Sequence, residues 1–245
     1  MNFRKHLINS NSTIKDALEL LSLVGLDTIL FTINEKKQLT GSVTDGDIRR
    51  GLLNGFSIEN PIAEIINSSP KFIKKENYSI NEIKNLRNNN YKVIPVVDKN
   101  HIVINIINFR SLLSYLPIDV VIMAGGLGSR LKPLTDNIPK PLLKIGEKTI
   151  IDYNIDRLIS FGIDDFWISV RYLGNQIKEY LKNGNNRNIN IEYVDEDTPQ
   201  GTIGAISKIN NFKHDYVMVT NSDILTNLNY ENFFEDFIEK DADMS

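Results

Sequence analysis

Val120-Val121-Ile122-Met123-Ala124-Gly125-Gly126-Leu127-Gly128-Ser129-Arg130-Leu131-Lys132-Pro133 is the stretch on which the reading of this chain turns. An apolar run empties directly into three glycines, the pattern of a buried strand leading into a loop. Glycine allows positive φ and close backbone approach, so consecutive N–H groups can converge on phosphate oxygens. The same glycines also suit an ordinary tight turn, and the three of them alone do not decide between the two. Two other phosphate loops are excluded by the residues present. A Walker loop ends in Gly-Lys-Ser/Thr, whereas this one continues Ser129-Arg130-Leu131, and the dinucleotide fingerprint needs glycine where Leu131 stands.

Outward from this stretch, strands and helices alternate. The pattern predicts helices over 150–161 (stopped by Gly162), 175–181 (capped by Asn175), 201–208 and 230–239, with strands over 166–170, 189–194 and 216–220. Such alternation implies an α/β fold with a Rossmann-like, mainly parallel sheet, whose ligands sit at the carboxyl ends of the strands.

The grammar changes near Leu116-Pro117-Ile118. Upstream, a helix–strand–strand–helix order occurs twice, and Asn34 corresponds to Asp98, Thr44 to Asn108 and Asp47 to Ser111 at an offset of about 64 residues. The second copy is expected to end in a helix over 109–116. Two copies are too few for a solenoid, so a pseudo-twofold α+β pair packed sheet to sheet is the economical arrangement. The expected domains are therefore 1–116, divided at about 58/59, and 119–245.

The run Met123-Ala124-Gly125-Gly126-Leu127-Gly128-Ser129-Arg130-Leu131-Lys132-Pro133-Leu134-Thr135, followed by Pro139-Lys140-Pro141-Leu142, resembles the signature of the sugar-1-phosphate nucleotidyltransferases. The resemblance implies that Ala124, Gly125, Gly126, Gly128 and Ser129 cradle a nucleoside triphosphate (NTP). It further implies that Arg130 and Lys140 hold its phosphates and stabilise the pyrophosphate leaving group. Glu196-Asp197-Thr198-Pro199-Gln200-Gly201-Thr202 resembles the family's base-recognition loop, which places Glu196, Gly201 and Thr202 against the nucleobase. Asn221-Ser222-Asp223 resembles its metal turn, with Asp223 as the Mg²⁺ ligand. Thymidylyl enzymes of the family usually carry Gln where Glu196 stands. A carboxylate only accepts hydrogen bonds and can take guanine's two adjacent donors, which favours GTP and resembles the mannose-1-phosphate guanylyltransferase branch.

In the first half, Gly41-Ser42-Val43-Thr44-Asp45-Gly46-Asp47 resembles the end of a CBS module. That resemblance implies an adenosine nucleotide held by Thr44 and Asp47; the residues by themselves suit Thr44 or Asp45 as an ordinary helix cap equally well. The second copy has Asn105, Asn108 and Ser111 at the matching places, so at most one ordinary site is expected, and the pair can serve in homodimerisation.

Composition agrees with a globular protein: 245 residues, 41% hydrophobic, 24% charged and a net charge of −3. That balance gives no global attraction to nucleic acid or to an anionic membrane. With no cysteine, disulfides and thiolate chemistry are excluded, and a reducing cytoplasm is the expected setting. His6, His101 and His214 are scattered and form no catalytic set. The stretch from Asp119 to Ser245 is shorter than the family's transferase domain, and no second metal-binding Asp or sugar-phosphate Lys is legible after Asp223. A chain complete as given is expected not to turn over. It would then be a nucleotide-binding sensor or assembly protein.

Overall fold

The computed structural model describes residues 3–196 and 204–244. They form two compact units, Met1–Ser111 and Leu112–Ser245. In the first unit the elements are β1 (Leu7–Asn9), α1 (Ile14–Val24), β2 (Ile29–Ile33), β3 (Leu39–Thr44), α2 (Asp45–Leu53), β4 (Ile73–Lys74), α3 (Ile80–Asn88), β5 (Val93–Val97) and β6 (Val103–Asn108). The second contains β7 (Ile118–Met123), β8 (Lys144–Ile145), β9 (Lys148–Thr149), α4 (Ile150–Ile159), β10 (Asp165–Val170), α5 (Gly174–Leu181), β11 (Asn190–Asp195), β12 (Tyr216–Asn221) and α6 (Tyr230–Glu239).

The repeat is physical as well as textual. Each copy builds a three-stranded sheet, β1-β2-β3 and β4-β5-β6, with one parallel and one antiparallel pairing. A register shift interrupts both hairpins at equivalent places, between Thr32 and Ile33 and between Val96 and Val97. Both hairpin turns are closed by one acceptor. Asn34 Oδ1 takes the N–H groups of Lys36 and Gln38, and Asp98 Oδ1 those of Asn100 and Ile102, all at 2.9 Å. The copies then meet reciprocally: Leu39 N–H donates to His101 O at 3.0 Å, and Val103 N–H donates to Lys37 O at 3.2 Å. A pseudo-twofold relation requires that reciprocity. Phe31, Leu39, Val93, Val97, Val103 and Ile106 fill a shared core between the sheets. Thr13 caps α1 through a capping box with Asp16, which lets Ile14, Ala17, Leu21 and Val24 turn one apolar face inward.

The expected helix over 109–116 does not form. Asn108 Oδ1 accepts from Arg110 N–H, and Asn108 O accepts from Ser111 N–H and from its hydroxyl, closing a turn in place of a helix. Leu113 and Leu116 then donate their N–H groups to Ser160 O and Phe161 O of the second unit, to which they belong.

The second unit carries the expected parallel sheet, in the order β11-β10-β7-β12, with every pairing parallel. Val120, Val121, Ile122, Phe166, Ile168 and Val170 are buried, as strands covered on both faces require. Two details differ from expectation. No side chain of Asn175 caps α5; the chain turns at Leu173 (φ 50°) and the helix begins at Gly174. Only Gly204–Lys208 of the expected 201–208 helix is described, as a 3₁₀ turn, because Gly201, Thr202 and Ile203 lie outside the described residues. The β8–β9 hairpin was not expected, although Gly146 (φ 64°) beside Glu147 is a signal for its two-residue turn.

α4 is anchored at its start by Asp152. Burial pushes this carboxyl up, but hydrogen bonds from Tyr180 and Thr149 and the Arg187 guanidinium outweigh it, holding it below the usual carboxylate range. A depressed pKa contributes stability above the unfolded value and loses it as pH falls through the folded one. Asp152→Asn is therefore expected to cost about 2 kcal/mol at neutral pH. That difference from wild type should shrink below about pH 4, as read by urea unfolding across pH.

Candidate functional site

Four strand ends converge on one cleft of about 500 Å³, lined by Met123 to Gly126, Gly128 to Leu131, Lys140, Pro141, Arg171, Glu196 and Asn221 to Asp223. Each part is fixed by backbone pairing at the sheet's carboxyl edge. Ala124 N–H donates to Ser169 O (2.8 Å), Glu196 N–H to Val170 O (3.0 Å) and Ser222 N–H to Met123 O (3.1 Å). The loops leaving β7, β10, β11 and β12 are thereby held side by side.

The glycine loop is open where the sequence requires it. Gly128 sits at φ 61°, and a Cβ there would lie 2.8 Å from Thr135 Cγ2, so this position is closed to other residues by conformation and by space. Thr135, itself buried, donates its hydroxyl to Gly128 O at 2.9 Å and ties the returning segment to the loop. Gly126 is exposed, and a Cβ there would meet nothing within 4 Å. Tyr172 holds the far side by donating to Thr135 O and Asp136 O at 3.0 and 2.9 Å.

The three expected catalytic side chains lie on this one cleft. Arg130 projects from the 3₁₀ turn Ser129–Leu131 without an ion-pair partner among the described residues. Lys140, brought back by the rigid Pro139–Pro141 segment, forms an ion pair with Asp223. Asp223 follows β12 at a turn braced from below, where Asn154 of α4 donates to Ser222 O at 2.9 Å. Glu196 lies on the opposite flank, where the Ser169 hydroxyl donates to its Oε1. The remaining base-loop residues, Gly201 and Thr202 among them, lie outside the described residues.

The sequence reading missed Arg171. It follows β10 directly, lines the cleft and donates from Nε to Gly125 O at 3.3 Å. Position at a strand's carboxyl end was the available signal. Thr44 and Asp47 do come together, but in a capping box at the start of α2: Thr44 Oγ1 donates to Asp47 Oδ2 at 2.6 Å and accepts from Asp47 N–H at 3.2 Å. The equivalent Asn108 instead donates to Asp27.

At the amino-terminal edge of the sheet, Asp164, Asp165 and His214 cluster within 4.8 Å. Lys213 Nζ binds Asp165 at 2.6 Å, the Tyr115 hydroxyl donates to Asp164 at 3.0 Å, and the N–H groups of Lys213 and His214 cap the buried Asp119. Among the described residues no helix is long and apolar enough to cross a membrane.

A parallel sheet with a glycine loop, cationic side chains and two carboxylates, Asp223 and Glu196, at its strand ends is the α/β architecture whose ligands sit at the carboxyl edge. The nucleotidyl transferase family model matches residues 119–245, and the chain belongs to that family. It is 34% identical over 119 residues to N-acetylmuramate alpha-1-phosphate uridylyltransferase of Neisseria meningitidis serogroup B, covering 47% of this chain and 51% of that protein. It is 34% identical over 109 residues to mannose-1-phosphate guanyltransferase of Schizosaccharomyces pombe, covering 43% of this chain and 30% of that protein. The chain thus spans about half, or less, of the length of these curated relatives. A solved CBS domain protein from Pyrobaculum aerophilum, complexed with AMP, is similar over 42% of this chain and 79% of that one, at 19% identity and a TM-score of 0.36.

Proposed function

We propose that the second unit binds an NTP with Mg²⁺, GTP in preference, for transfer of its nucleoside monophosphate to a sugar 1-phosphate. The observation that carries this reading is the convergence of the Gly125–Ser129 backbone, Arg130, Lys140 and Asp223 on one cleft. A sugar-phosphate oxygen attacks the α-phosphorus, the α–β anhydride bond breaks, and pyrophosphate leaves. The attacking phosphate has a second pKa of about 6, so it is already ionised near neutral pH and needs no general base. The chain's contribution is placement and charge. Backbone amides and Arg130 hold the triphosphate, and Lys140 is positioned to neutralise the leaving pyrophosphate.

The donor set suits a hard cation, which typically keeps most of its waters and takes one or two carboxylates together with substrate phosphates. Asp223 supplies such a carboxylate on the same cleft as the loop, where it pairs with the positive charge of Lys140. When bound, Mg²⁺ would supply charge neutralisation along the phosphates.

The first unit, in this reading, is a CBS pair that regulates or dimerises the protein, with an adenosine nucleotide at Thr44 and Asp47 as its ligand. A screen of each NTP against sugar 1-phosphates with Mg²⁺, reading pyrophosphate release in parallel with calorimetric binding, tests the proposal; AMP and ATP are added in a separate thermal-shift arm. GTP is expected to bind most tightly. A chain that binds no NTP in the presence of Mg²⁺ would overturn the reading.

A further inference from the structure

The strand order divides the cleft. Asp223 follows β12 on one side of β7, whereas Arg171 and Glu196 follow β10 and β11 on the other. Adjacent strands lie about 4.8 Å apart, so the four ends offer a track roughly 15 Å long. A nucleotide with its phosphates over β7 and β12 lays its base over β10 and β11. Resting on the nucleotide-binding reading above, we infer that Arg171 is a specificity residue that reads the 6-oxo edge of guanine while Glu196 takes the adjacent donors.

Three observations support this. Arg171 and Glu196 flank the same glycine: a Cβ on Gly125 would lie 3.3 Å from Arg171 Cβ and 3.4 Å from Glu196 Oε1. Neither side chain forms an ion pair among the described residues, with the other or with any neighbour. A guanidinium and a carboxylate that flank one glycine and line the same cleft without an ion pair between them leave donors and acceptors for a ligand there. Each is also held from behind. Among the described residues Arg171 bonds through Nε alone, to Gly125 O, which leaves its terminal nitrogens for a ligand, and Ser169 fixes one oxygen of Glu196.

The chemistry then selects the base. A guanidinium only donates and a carboxylate only accepts. Guanine offers acceptors at O6 and N7 and donors at N1 and the 2-amino group, so both side chains are satisfied at once. Adenine and cytosine place an amino donor where the guanidinium needs an acceptor. Uracil and thymine present one imide donor in place of guanine's two.

Binding of GTP, ITP, ATP, CTP and UTP with Mg²⁺ is measured by calorimetry on the 245-residue chain and on Arg171→Met, which keeps an apolar stem but no donor. Wild type is expected to favour GTP over ATP by roughly tenfold or more. Arg171→Met should weaken GTP and ITP, which share the 6-oxo group, by a similar factor and leave ATP and CTP unchanged. Arg171→Lys, charged but lacking the planar fork, should also lose the preference, with melting temperatures showing that both variants fold. Equal loss for all five nucleotides would make Arg171 a phosphate contact, and no loss would remove it from the site; either result overturns the inference. Arg130→Met separates the two readings, since it should weaken all five alike. A wild type that binds none of the five defeats the nucleotide-binding reading itself, and this inference with it.

Discussion

Alanine in place of Asp223 is expected to remove the Mg²⁺-dependent part of NTP binding, a loss of about a hundredfold or more in the presence of the metal. Among the described residues lining the cleft, Asp223 and Glu196 are the carboxylates, and Glu196 stands on the far side of β7, where it accepts from the Ser169 hydroxyl. Asp223 is therefore the oxygen donor on the phosphate flank. Its removal also releases Lys140 from their ion pair. The residual, metal-independent affinity should consequently hold or rise slightly, because Lys140 becomes free for the phosphates. Titrations of wild type and variant with Mg²⁺ and with chelator give the comparison, and Asp223→Asn should fall between them. An unaltered dependence on Mg²⁺ would assign the metal elsewhere. In any longer form of the protein that turns over, pyrophosphate release by Asp223→Ala should drop to background.

The largest structural effect is expected from Gly162→Ala. Gly162 closes α4 at φ 75°, and a Cβ there would lie 2.6 Å from Ser114 O and from Tyr115 Cα. Both of these are backbone atoms, which cannot swing aside as a flexible side chain would. The left-handed conformation and the overpacking together should cost roughly 3 kcal/mol. For a unit of this size that is a fall in melting temperature on the order of 10 °C. The damage should reach the site, because α4 carries Asn154, which braces Ser222 O beneath the Asp223 turn. Gly126→Ala is the control: a side chain there meets nothing within 4 Å, so the melting temperature should barely move. Equal melting temperatures for the two variants would contradict this account of Gly162.

Local rules made much of this molecule legible beforehand. Thr149 with Asp152 is a capping box whose helix begins at Ile150, where the pattern places it. Gly25 and Gly162 stop helices at positive φ. The 64-residue offset anticipated even the matched turns at Asn34 and Asp98. The misread elements have different causes: the start of α5 and the β8–β9 hairpin turn on local geometry at Leu173 and Gly146, whereas the segment after Asn108 also answers to distant partners. Leu112–Leu116 has helical composition, yet the N–H groups of Leu113 and Leu116 go to Ser160 O and Phe161 O across the fold.

The sequence by itself determined the parallel sheet, the repeat and the family, because strand periodicity, caps and a glycine loop are encoded within a few residues of one another. Only the tertiary structure decided which side chains share a cleft. Lys140 meets Asp223 across 83 positions, and Arg171 reaches Gly125 across 46. Such meetings follow from the order β11-β10-β7-β12, which is set by how the whole sheet buries its apolar faces and by no local signal.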